Sequence, residues 1–117
     1  MSKTAILYCE ADEKVLSTQA RKLTSAGYAV VTVVGRAAME TAVQAGGFDI
    51  AILGHTLTRD DRHHLPDMIK KINPEASVIV LHASGRHPQV DFALDSRLGE
   101  HAFLEVVANA AAEPVAT

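Results

Sequence analysis

A chain of 117 residues, 48% hydrophobic and 21% charged, has the composition of an ordinary globular domain with room for one core. Its formal net charge is −3, and its 11 basic residues are scattered, with only Arg21-Lys22 and Lys70-Lys71 as adjacent pairs, which argues against a nucleic-acid surface. The single cysteine excludes an intrachain disulfide. No apolar run approaches the roughly 18 residues of a membrane span, and the opening residues are interrupted too soon for a signal peptide. The expectation is a cytoplasmic domain with no membrane partner, spanning residues 1–113, with 114–117 as a short flexible tail.

Apolar runs and helical patterns alternate along the chain. Thr4 to Cys9 (TAILYC) reads as a strand buried on both faces. Asp12 is placed to cap a helix whose apolar positions Val15, Leu16, Ala20, Leu23 and Ala26 recur at helical spacing, and Gly27 ends it. Tyr28 to Val34 is β-branched and reads as a second strand. Ala37 to Ala45 predicts a short helix closed by Gly46-Gly47, and Phe48 to Leu53 a third strand.

A polar loop from Gly54 to Arg62 then leads to a helix from about His63 to Ile72, with Pro66 in its first turn. Asn73-Pro74 breaks the chain before a fourth strand, Ser77 to Leu81. Val90 to Leu94 reads as a fifth strand and Leu98 to Ala111 as a last helix. Such alternation predicts a three-layer α/β/α sandwich around a parallel five-stranded sheet in the order 2-1-3-4-5. The loops after strands one, three and four then share the edge where such sheets bind ligands. That edge carries Glu10 to Asp12, Gly54-His55, and His82 to Ser84.

Three stretches resemble the receiver domain of response regulators, the CheY-like family: AILYCEADEKV, GFDIAILGHTL and INPEASVIVLHASG. The resemblance implies a signalling domain of two-component phosphorelays, without the residues that phosphorylation needs. By that resemblance the acidic pair after strand one reads Glu10 and Ala11, with Asp12 next along. The phospho-accepting position falls on Gly54, the hydroxyl position on His82 with Ser84 two residues later, and the lysine position near Ser96. Phosphoryl transfer to a carboxylate needs a nucleophile in line, a metal bridging the oxygens and a cation to offset charge. Gly54 offers no nucleophile, Ala11 no oxygen for Mg²⁺, and Ser96 no positive charge. The implied function is that of a pseudo-receiver acting through a protein partner (a signalling kinase, a regulator or a second copy), neither an enzyme nor dependent on a cofactor.

The resemblance also implies a helix between strands four and five, for which there is little chain. Only the seven residues Ala83 to Gln89 separate His82 from Val90. Extended, they span about 25 Å, enough to retrace a strand but not to build a helix as well. A fourth helix that is missing or reduced would leave Val78, Val80 and Phe92 short of cover, suggesting a homodimer or partner interface along Val106 to Ala112.

The alternative is a small ligand- or metal-binding domain or enzyme using Glu10, His55 and His82 on the ligand-binding edge. No HxH or HExxH spacing accompanies the six histidines. Cys9, inside an apolar strand, reads as an inert core thiol. Asp60-Asp61-Arg62 reads as the cap and first turn of a helix, and Gly35-Arg36 and Gly85-Arg86 as plain loops.

Overall fold

The structure is a computed structural model, and it describes residues 4–81, 92–94 and 100–112. In chain order the elements are β1 (Ala5–Glu10), α1 (Glu13–Ser25), β2 (Ala29–Val34), α2 (Gly35–Ala45), β3 (Ile50–Leu53), α3 (Arg59–Ile72), β4 (Ser77–Leu81), β5 (Phe92–Leu94) and α4 (Glu100–Ala112). The sheet runs β2-β1-β3-β4-β5, and every neighbouring pair is parallel. The expected three-layer sandwich and strand order are therefore the observed ones, with a short β5 at the far edge.

Alternation along the strands divides the core in two. Leu7, Cys9, Ala51, Leu53, Val78 and Val80 face Met39 and Val43 of α2 and Leu65 and Ile69 of α3. The intervening residues, Ile6, Tyr8, Ile50, Ile52, Ile79 and Leu81, face Leu16 and Leu23 of α1 and Phe103, Val107 and Ala110 of α4. Period-two side chains on strands buried on both faces produce this division, which explains why the central strands read as unbroken apolar runs.

Several boundaries move from their sequence-based positions. β1 continues through Glu10, so that carboxylate belongs to the strand. α2 starts at Gly35, making Gly35-Arg36 its first turn rather than a loop. α3 starts at Arg59, four residues before His63, because Thr58 caps it: its hydroxyl accepts from Asp61 N–H at 3.1 Å. Asp60 and Asp61 then fill the first turn, where acid complements the helix dipole. Pro66 consequently lies in the interior of α3, where it is buried and contributes no N–H to the helical ladder.

One expectation about packing is corrected. Val78 and Val80 are buried, because their side chains point to the face covered by α2 and α3. They therefore offer no apolar patch, and the flank interface loses that support. The expected absence of a helix after His82, and the side chain of Phe92, lie outside the described residues. So do His82, Ser84, Gly85-Arg86, Ser96 and the tail 114–117.

Candidate functional site

The parallel order brings the ends of β1 and β3 side by side, with Cys9 opposite Leu53. One residue further along each strand stand Glu10 and Gly54. Glu10 is completely buried, an unusual place for a carboxylate unless its oxygens are fully engaged. Here they are. Thr56 donates twice to Oε1, from its backbone N–H at 3.0 Å and its hydroxyl at 2.6 Å, and the Tyr8 hydroxyl donates to Oε2 in a short hydrogen bond.

Thr56 does more than hold the carboxylate. Its Oγ1 also accepts from the backbone N–H of Ala11 at 2.8 Å and of Asp12 at 3.1 Å. One side chain thus ties the β3–α3 loop to the β1–α1 turn across the top of the sheet. Asp12 contributes its backbone to this tie while its carboxylate caps α1, accepting from Lys14 N–H at 2.8 Å and Val15 N–H at 3.2 Å. His55 stands at the rim with Nδ1 3.9 Å from Glu10 Oε2, too far for a hydrogen bond. That buried nitrogen has no hydrogen-bond partner among the described residues.

Gly54 is where the geometry is tightest. Its N–H donates to the Cys9 carbonyl at 2.9 Å, which holds its backbone against β1. A Cβ on this residue would lie 1.8 Å from Glu10 Cδ and 1.9 and 2.1 Å from the two carboxylate oxygens. The Glu10 carboxyl group therefore occupies the volume into which any side chain at position 54 would project.

Burial, reinforced by the carboxylate, keeps the neighbouring groups protonated. Burial first, and then the Glu10 charge and the hydrogen bond to it, hold the Tyr8 phenol proton far above its ordinary range. Burial and the same charge push the Cys9 thiol up to about 12. Neither group is a nucleophile at neutral pH, in keeping with an inert Cys9.

Of the residues expected at this edge, Glu10, Gly54 and His55 meet here, with Asp12 turned to its helix. Among the described residues no group of three His, Cys, Asp or Glu side chains is arranged to hold a metal ion. Sequence reasoning missed Tyr8 and Thr56. Tyr8 was hidden in an apolar run, and Thr56 in a polar loop with nothing local to show that it reaches 46 residues back.

No family model and no curated protein matches the chain. Solved structures do. The chain is similar to a CheY-like response regulator receiver domain protein from Methanospirillum hungatei, at 16% identity and a TM-score of 0.78 over 92% of this chain and 93% of that one. It is similar to the signal receiver domain of an HD domain-containing protein from Pseudomonas fluorescens, at 15% identity and a TM-score of 0.81 over 94% and 88%. It is also similar to a putative pilus assembly-related protein from Burkholderia pseudomallei, at 23% identity and a TM-score of 0.70 over 94% and 90%. Sheet order, layering and these superpositions agree: the chain is built on the fold of response regulator receiver domains.

Proposed function

We propose that this chain is a receiver-like signalling module that acts by protein–protein contact and takes no phosphoryl group. A receiver would present an acceptor carboxylate at position 54 and bind Mg²⁺ beside it. The observation that carries the reading is that Gly54 has no side chain and the Glu10 carboxyl group fills the space beside it. Three protein donors already engage the Glu10 oxygens, which also weighs against their serving as ligands to an added ion or substrate. A domain without acceptor chemistry keeps its surfaces, and those suffice to bind a kinase, a regulator or another copy.

The direct test is exposure of the chain to acetyl phosphate or beryllofluoride with Mg²⁺, followed by intact mass and amide NMR spectra. The expected result is no adduct and no shift of the amides of residues 54–57. A magnesium-dependent adduct would overturn the reading. Gly54→Asp is expected to remain unmodified, since Ala11 still lacks the second acidic ligand and the new side chain collides with Glu10. Recovery of the same partners from the native host, with and without phosphorylating conditions, tests the interaction half of the proposal.

A further inference from the structure

β2 ends the sheet, and no described strand lies beyond it. The Ala29 N–H donates to the Thr4 carbonyl at 3.0 Å, and Ala29 sits opposite Ala5 in the parallel register. In a parallel pair alternate residues bond to the neighbour, so Ala29, Val31 and Val33 turn their backbone groups toward β1. The N–H and C=O of Val30 and Thr32, and the N–H of Val34, therefore point outward. The Val34 carbonyl instead heads α2, for which Val34 is the N-cap.

Exposed strand edges are usually protected by charge, proline or brevity. This one has six residues, AVVTVV, with neither charge nor proline, and Val31 and Val34 are 60% and 47% exposed. Its sequence reads the same in both directions about Thr32: Val30-Val31-Thr32-Val33-Val34. The outward-facing backbone groups belong to residues 30, 32 and 34, which are symmetric about the same point.

We infer that this edge pairs antiparallel with β2 of a second copy, across a two-fold axis through Thr32. An isologous contact requires a surface that complements itself. Here Thr32 meets the partner's Thr32 and they exchange both backbone bonds, as directly opposed residues of a hydrogen-bonded antiparallel pair do. The Val34 N–H of each chain reaches the Val30 carbonyl of the other. On the two faces Val30 lies opposite the partner's Val34, and Val31 opposite the partner's Val33. A charged edge would set like charges against each other in such a pair; this strand sets valine against valine. Val30 and Thr32 border a groove lined from α1 by Ser17, Ala20, Arg21, Thr24 and Ser25, of which only Arg21 is long. A second copy is favoured over an unrelated extended peptide because the symmetry of side chains and free backbone groups coincides at one residue.

Light scattering over a concentration series is expected to show the mass rising from the 12.5 kDa of one chain toward twice that value. Thr32→Lys and Thr32→Glu should each remain monomeric, because like charges then meet on the axis. An equimolar mixture of the two should dimerise again. Hydrogen exchange on the unmodified chain provides a second readout, in which the Thr32 amide should exchange more slowly as concentration rises. This measurement decides the question if either variant fails to fold. A wild type that stays monomeric at millimolar concentration, a dimer that survives in both variants, or Thr32 exchange that is independent of concentration would overturn the inference.

Discussion

The close approach of the Glu10 carboxyl to Gly54 is a contact between two residues, and its energetics follow from volume. A methyl group at position 54 would overlap the Glu10 carboxyl, and overpacking of this kind costs about 1–3 kcal/mol. Gly54→Ala is therefore expected to lower the urea midpoint by that equivalent. Combining it with Glu10→Ser should cost less than the sum of the two single changes, because the smaller side chain vacates the volume. Strict additivity would mean that the two positions do not compete. A second expectation concerns alkaline pH. The folded Cys9 thiol keeps its proton up to about 12, against an ordinary 9.0, so the unfolded chain binds fewer protons between those values. Stability is then whole below pH 9 and lost as pH rises toward 12, by at most about 1.4 kcal/mol per pH unit for one proton. Tyr8, also raised, acts in the same direction above its ordinary 10.0. Denaturant midpoints measured across this range should fall, and Cys9→Ala should remove the earliest part of the fall.

At the scale of elements, what the sequence disclosed depended on whether the signal was local. α1 was legible from Asp12 through Gly27 because cap, apolar period and terminating glycine are all adjacent in the chain. Asp12→Ala should accordingly cost about 1 kcal/mol, the usual value of an N-cap, read as a lower thermal midpoint with the fold retained. α3 starts at Arg59, four residues before the expected His63, although Asp60 and Asp61 do lie in its first turn, as their acidity indicates. The cap is Thr58 rather than Asp60, a threonine that stands out less in a polar stretch than the aspartates beside it, and Pro66 points to a first turn further along the chain. The candidate site was half legible. Gly54 and Glu10 stood out by their places at strand ends, and the burial of Glu10 did not. That burial depends on Tyr8 and Thr56, which reach it from its own strand and from a loop 46 residues away. No periodicity carries such information.

At the scale of the whole molecule, a parallel sheet is stable only with both faces covered, and α4 supplies much of the cover on one of them. Phe103, Val107 and Ala110 pack within the cluster formed by Ile79, Leu81, Tyr8 and α1, and Val107 has no exposed surface. An interface reading of Val106 to Ala112 and a cover reading make opposite demands on this residue. If Val107 met a second molecule, a glutamate there would dissociate a dimer and leave a folded monomer. If it covers the sheet from within, the same change buries a charge among apolar side chains. Burying an unpaired charge costs several kcal/mol, against a total stability of about 5–15 kcal/mol for a domain. The geometry favours the second outcome. Val107→Glu is expected to abolish the cooperative thermal transition in circular dichroism at every protein concentration. Asn109→Glu, on the exposed side of the same helix, should stay within about 0.5 kcal/mol of the parent. A Val107→Glu chain that melted cooperatively as a monomer would show that α4 is not needed to close the core, and would return the interface reading to that helix. Loss of folding confined to Val107 fixes α4 as part of the monomer's own interior.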